Sequence, residues 1–181
     1  MNPHNKRAVT RPLPLPYLGP VLAALLSVAF ASNASETDRR AIAAVLDDFH
    51  AAAAAADRVR YLGHFSDAGV FMGTDDWERW PLDEFRDYVS ERFSDGGWEY
   101  HPEERHIAFA PGGETAWFDE IAVSPRWGRF RGTGVMLLEN GEWKIAHYSL
   151  TALVPNEKFR AVSEITRPAF EGRNSPRPEE P

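Results

Sequence analysis

The sequence has no cysteine. That excludes a disulfide, a thiolate metal site and a cysteine nucleophile. It also lacks a basic surplus, since 20 Lys and Arg stand against 27 Asp and Glu for a formal net charge of −7. Nucleic-acid binders show a basic patch or stripe, and nothing here resembles one. No HxH or HxxxH spacing links His101, His106 and His147, so a metal site built from them with Asp119 has no motif behind it. The RGTG at residues 131–134 lies inside a strand pattern, not ahead of a helix, and is no phosphate-binding loop. No Ser-His-Asp arrangement has support in the spacing, and no segment repeats. The chain is therefore expected to work without a metal or cofactor and without nucleic acid.

Residues 17–31 carry no charge and follow Lys6, Arg7 and Arg11. Small residues come next, with Ala31 and Ala34 as candidate cleavage positions. That is the grammar of a secretory signal peptide. The run is short of the about 20 residues a membrane-spanning helix needs. An uncleaved anchor is the alternative. No cysteine offers lipid attachment. Residues 1–34 hold three basic groups and no acid, so cleavage after Ala34 takes the charge from −7 to −10. The expectation is an exported protein, periplasmic or secreted, with no stable membrane insertion once the leader is gone.

What is present is an apolar and aromatic chain, 43% hydrophobic and 12% aromatic. Ser35-Glu36-Thr37-Asp38 reads as a helix start. Ile42, Val45, Leu46 and Phe49 then recur at helical spacing over residues 39–56. Six alanines, Ala51 to Ala56, suit either close backbone approach or plain helix formation, and the second reading is preferred. Asp57 begins a shorter helix with Tyr61 and Leu62. Val70-Phe71-Met72 reads as a short strand, and residues 74–80 as a polar, aromatic loop braced by Thr74 and Asp75, with Glu78 and Arg79 near the pocket mouth. Pro81 opens a third helix with Leu82, Phe85, Val89 and Phe93 on one face.

Residues 98–110 read as a long strand. Three more strands follow between Trp117 and Thr151, with Asn140-Gly141 as a tight hairpin turn. Side chains alternate faces along a strand. Trp117, Asp119 and Ile121 share one face, and Phe118, Glu120 and Ala122 the other. Arg129, Arg131, Thr133, Val135 and Leu137 share a face, as do Trp143, Ile145, His147 and Ser149. A short helix is expected at 157–165 and a disordered tail at 166–181. The order predicts an α+β fold: a curved antiparallel sheet packed against three helices, enclosing a conical hollow.

Polar groups on an otherwise apolar sheet face mark a pocket wall. By that argument Asp119 and His147 point into the hollow, joined by Tyr61, Trp77, Trp80, Trp117 and Arg131. A carboxylate beside tryptophans is desolvated toward proton-transfer range. Competing structural readings are an Asp119–Arg131 ion pair, a core role for His147 and core filling by tryptophans. Arg105 is expected to pair with Glu120 across strands.

The string GTDDWERWPLDEFRDYVSERFSDGGWEYHPEER, with AWFDEIAV and RGTGVMLLENGEWKIAHYSLTALVPNE, resembles SnoaL-like domain proteins of the nuclear transport factor 2-like superfamily. More narrowly it is similar to exported bacterial members of unknown function. The resemblance covers about residues 38–162. It implies the cone-shaped, cystatin-like α+β barrel, and commonly a homodimer formed through the outer sheet face, for which Phe118, Tyr148 and Phe130 are the candidate contacts. It leaves activity open, because the superfamily holds isomerases, cyclases, dehydratases and non-catalytic modules. The steroid isomerase pattern is not met, since Met72 and Phe49 stand where its carboxylate and tyrosine belong. The polyketide cyclase pattern of a strand acid with a histidine is comparable to Asp119 and His147. Three readings follow: a domain binding a small apolar or aromatic molecule, a proton-transfer enzyme using Asp119 and His147, and a homodimeric interaction module.

Overall fold

The computed structural model describes the backbone of residues 19–173 and the side chains of residues 36–173. The leader expected at 1–34 lies outside the described residues, apart from the helical backbone that starts at Gly19. The chain divides into two units, Met1–Glu36 and Thr37–Pro181. The first contributes the N-terminal part of helix α1 (Gly19–Ala54). The second holds all the other elements: α2 (Arg58–Gly63), β1 (Phe65–Met72), β2 (Arg79–Pro81), α3 (Leu82–Ser94), β3 (His101–Phe109), β4 (Thr115–Ser124), β5 (Gly128–Glu139), β6 (Glu142–Ala152) and α4 (Phe159–Glu171).

The α+β order expected from the sequence is present. The sheet runs β2-β1-β6-β5-β4-β3. It is mixed rather than fully antiparallel, because β1 lies parallel to β6. That pairing joins segments about 75 residues apart, with a helix and four strands between them, and no local pattern announces it. β2 overlaps the end of the segment read as a loop, takes in Pro81, and pairs with β1 through Phe71 and Trp80. Helix α4 runs to Glu171, past the expected end at 165, and Arg173 pairs with Asp75 and Asp76. Residues 174–181 of the expected tail lie outside the described residues.

The core forms where helical and strand periodicities meet. Ile42, Leu46, Phe49 and Ala53 recur every three to four residues on α1 and are buried. Leu82, Phe85, Val89 and Phe93 do the same on α3. Each such large side chain contributes about 1.5–3 kcal/mol by leaving water. The alanines continue the helix to Ala54 as preferred, and Gly97 packs so close to its end that a Cβ there would sit 1.8 Å from the Ala53 carbonyl oxygen. Asn140 and Gly141 both take positive φ and close the β5–β6 hairpin as expected.

Which face of the sheet meets the helices is set by β4. Ala116, Phe118, Glu120, Ala122 and Ser124 are buried, while Trp117 is exposed and Asp119, Ile121 and Val123 are partly so. The inner face is therefore the Phe118–Glu120 face. On β5 it carries Phe130, Gly132, Gly134 and Met136. The glycines leave room for neighbouring rings. A Cβ at Gly132 would lie 2.3 Å from the Tyr148 hydroxyl, and one at Gly134 would lie 2.6 Å from the Phe118 ring.

Candidate functional site

Glu120 is the unusual residue of the inner face. It is 2% exposed among apolar neighbours, and burying a lone carboxylate is expensive. Three elements meet that cost. His50 on α1 places Nε2 2.7 Å from Oε1, the ring nitrogen donating to the carboxylate. The Tyr148 hydroxyl on β6 donates to the same oxygen at 3.0 Å. Arg105 on β3 donates from Nε to Oε2 at 2.8 Å, the cross-strand partner expected from the sequence. The same guanidinium reaches α1, donating from Nη1 to Asp47 Oδ1 at 2.8 Å and to the Ala43 carbonyl at 3.1 Å. The network thus ties helix to sheet from the buried carboxylate out to exposed Asp47.

The electrostatics follow from this arrangement. Burial pushes the Glu120 carboxyl up, but the His50 hydrogen bond and the charges of His50 and Arg105 outweigh it, and the net shift is downward. Glu120 is held as a carboxylate with both oxygens occupied, which makes it an orienting group rather than a base. Burial, then the Glu120 charge, drives the Tyr148 phenol well above its usual range.

Around this network the cone is filled by rings. Phe49 stacks on Tyr61 at 4.5 Å, Phe71 stacks on Phe85 at 4.4 Å, and Phe71 lies parallel to Tyr148 at 5.6 Å. The hollow expected to stand partly empty is occupied by these side chains. Tyr88, Trp98 and Tyr100 are partly exposed and form an aromatic collar, with Trp98 edge-on to Tyr61 at 5.7 Å.

The residues selected from the sequence separate into two groups. Tyr61 and Trp80 are buried on the inner side, where Trp80 stacks on Tyr88 at 4.4 Å. Trp77 packs against Trp80 at 5.9 Å and is partly buried. Trp117, Asp119, Arg131 and His147 do not face the cone. They lie on the face of the sheet turned away from α1, where Trp117 is 51% exposed and Arg131 is exposed. The parity argument for His147 fails because Ala146 is an extra residue on β6, with Met136 facing Ile145 and Val135 facing His147. This β-bulge turns Trp143 and Ile145 inward, but Tyr148 and Leu150 inward as well, and leaves His147 outward. A second bulge at Glu103 puts His101 and His106 opposite Val123 and Asp119, on one face and not on opposite faces.

Asp119 meets His106 at 3.2 Å rather than Arg131, which lies opposite Ile121. His147 contacts Met72 Sδ at 3.1 Å, and burial then the Arg79 charge lower its pKa. Asp119 and His147 sit on strands separated by β5, about 10 Å of sheet. They line one outer groove of about 450 Å³ with His106, Trp117, Thr133 and Val135, but they are no proton-transfer pair inside the cone. Phe118, Phe130 and Tyr148, proposed as outer contacts, are buried on the inner side. Glu78 and Asp75 brace the β1–β2 loop, Glu78 Oε2 accepting from the Asp75 amide at 3.1 Å. Among the described residues no group of three His, Asp or Glu side chains is placed to hold a metal ion. No described helix is long and apolar enough to cross a membrane.

Sequence reasoning missed His50 and gave Glu120 and Tyr148 the wrong face. One signal was available. Gly132 and Gly134 alternate on β5 opposite Glu120 and Phe118, and small residues facing large ones mark an inner face.

A curved sheet packed on helices is the architecture of the nuclear transport factor 2-like, cystatin-like class. Solved structures agree. A domain of unknown function with a cystatin-like fold from Nostoc punctiforme is 14% identical, with 77% of this chain and 98% of that one covered at a TM-score of 0.59. A nuclear transport factor 2-like protein of unknown function from Pseudomonas putida is 13% identical, with 70% and 92% covered at 0.56. A candidate scytalone dehydratase from Novosphingobium aromaticivorans is 13% identical, with 68% and 89% covered at 0.57. At such identities the likeness is one of fold. No curated protein matches the chain. The model of the SnoaL-like domain family matches residues 42–155, and the chain belongs to that family.

Proposed function

We propose that this chain is an exported ligand-binding domain whose cone takes a small, largely apolar or aromatic molecule against the Glu120–His50–Tyr148–Arg105 network. One observation carries the reading: a fully buried carboxylate is held by donors from α1, β3 and β6 within a cone of aromatic rings. A core built for stability alone gains little from a buried ion network, since apolar residues of similar size stabilise as well or better. Because side chains fill the cone, this reading requires the partly exposed collar of Tyr88, Trp98 and Tyr100 to move and open space for the ligand. Thermal unfolding with a panel of neutral aromatic compounds tests this. A binder at about 100 times its Kd adds about 2.7 kcal/mol to stability, and the midpoint rises accordingly. A midpoint that no compound raises removes the proposal. Export rests on the basic, apolar and small-residue order of residues 1–34, and mass spectrometry of the mature chain reads whether it starts after Ala31 or Ala34.

The outer face favours a second reading, self-association. Trp117 is a large apolar side chain left 51% exposed on a sheet face, flanked by partly exposed Ile121 and Val135. Singly exposed apolar residues are ordinary, but neighbouring ones around a groove mark contact surfaces. Sedimentation equilibrium is expected to give a dimer. A monomer at high concentration ends this reading.

A further inference from the structure

We infer that the cleft between α1, α2 and the β5–β6 hairpin is a second binding site, in which Nδ1 of His64 accepts a hydrogen bond from a small uncharged molecule carrying an N–H or O–H donor. The cleft lies outside the cone, and the inference is independent of the cone-binding reading above.

The cleft encloses about 480 Å³. Half-buried Val45 supplies an apolar wall on α1, and Gly63 and Gly141 leave room beside it. The formal charges that line it are already paired. Arg60 holds Asp48, with Nε donating to Oδ2 at 2.9 Å. Lys144 donates to Glu142 at 2.9 Å and to the Gly63 carbonyl at 3.1 Å. An ion entering here leaves water and meets no uncompensated opposite charge, so an uncharged molecule is the better fit.

His64 is the exception, with one ring nitrogen engaged and the other not. Its Nε2 lies 2.9 Å from Asp48 Oδ2. The hydrogen bond from Arg60 keeps Asp48 ionised below its ordinary range, and a carboxylate only accepts. Nε2 therefore carries the proton. Burial holds His64 below its ordinary value of 6.5, against the pull of Asp48, so the ring is neutral near pH 7. Nδ1 is then a lone pair with no partner among the described residues. It is not one of the buried atoms left unpaired, which are Tyr61 Oη and Arg105 Nη2, and so it is open to solvent on a side chain that is 17% exposed. The ring is also held in place. Phe49 meets it edge-on at 6.5 Å, and the His64 carbonyl accepts from the Ile145 amide at 2.8 Å. A fixed tautomer on a fixed ring makes Nδ1 a directed acceptor, and its complement is a donor.

The test uses the full chain, isotope-labelled, and two probes, indole and 1-methylindole, which differ by the N–H donor. Nuclear magnetic resonance at about pH 7.5 reads binding here from the Gly63, Gly141 and Lys144 amides, and the acceptor from the His64 ring nitrogens. Indole is expected to bind about tenfold more tightly than 1-methylindole, the worth of one neutral hydrogen bond, and to move the Nδ1 resonance. His64→Phe keeps a ring, removes the acceptor, and is expected to bring the two probes to parity. Acidification until the ring nitrogens report a protonated His64 turns Nδ1 into a donor, and is expected to abolish the preference in the wild type. Asp48 and Glu142 titrate below their ordinary values and Arg60 and Lys144 stay protonated, so the other charged groups facing the cleft do not change over that range. A preference that survives in His64→Phe or in the protonated ring overturns the inference. So does equal binding of both probes by the wild type, or a set of cleft amides that neither probe moves. If His64→Phe does not fold, the wild-type Nδ1 resonance decides, and indole leaving it unmoved overturns the inference.

Discussion

Glu120 and Asp119 are neighbours in sequence on β4, yet they occupy two different media. Glu120 points toward α1, is 2% exposed and accepts from a histidine, a tyrosine and an arginine. Asp119 points the other way, its side chain is 44% exposed, and its hydrogen-bond partner is His106 at 3.2 Å. A charge pair a few ångströms apart interacts several times more strongly in a protein interior than in water. The same functional group is thus a structural keystone on one face and a solvated surface charge on the other. The difference teaches that the role of a carboxylate in this fold is decided by the strand face it occupies.

The sharpest way to break that comparison is to remove each carboxylate in turn. Glu120→Ala strands Arg105, His50 and Tyr148 in the core and is expected to cost about 3–5 kcal/mol. Asp119→Ala removes an exposed partner and is expected to fall within about 0.5 kcal/mol of wild type. Urea unfolding at pH 7 reads both, and equal costs would end the contrast. Acid sharpens it. The folded carboxyl of Glu120 sits below its ordinary value of 4.5 because His50 and Arg105 outweigh burial. As the pH falls through 4.5 the unfolded chain takes up the proton first, so stability present above that value is lost below it. Glu120→Gln is expected to flatten this part of the stability–pH curve.

Much of the architecture was legible in the chain. The stripes Ile42-Leu46-Phe49 and Phe85-Val89-Phe93, the Asn140-Gly141 turn and the Arg105–Glu120 pair are local or cross-strand signals, and the structure carries all of them. The candidate site was less legible for a physical reason. β4 alternates apolar residues on both faces, with Trp117 and Ile121 on one and Phe118 and Ala122 on the other, each face carrying one acid. Periodicity groups such residues correctly but does not say which group meets the helices. On β6 the grouping itself fails at Ala146, because a period of two holds only until a bulge inserts a residue. His50 was hidden for another reason: it lies on α1, 70 residues from the acid it serves, and only the tertiary fold joins them.

The smaller test concerns room rather than charge, and it compares two adjacent residues of β5. Gly134 lies inward and Thr133 outward. A Cβ at Gly134 would stand 2.3 Å from the His147 carbonyl oxygen, and 2.6 and 2.7 Å from two atoms of the Phe118 ring. A carbonyl in the β5–β6 ladder cannot swing aside without loosening its strand, so the overlap is relieved by backbone movement. Overpacking of this kind costs about 1–3 kcal/mol, offset only in part by the entropy that alanine removes from the unfolded chain. Gly132→Ala is expected to cost less, because the nearest atom is the far end of the Tyr148 ring at 2.3 Å, which can tilt. That tilt draws the hydroxyl away from Glu120, so the variant also lowers the benefit of the carboxylate. Thr133→Ala gives up only strand propensity on a partly exposed face, at most about 1 kcal/mol. Urea unfolding should therefore rank Gly134→Ala as the most destabilising, then Gly132→Ala, then Thr133→Ala. If Thr133→Ala costs as much as Gly134→Ala, the inner face is not packed to contact, and the two faces of the sheet are more alike than their burial indicates.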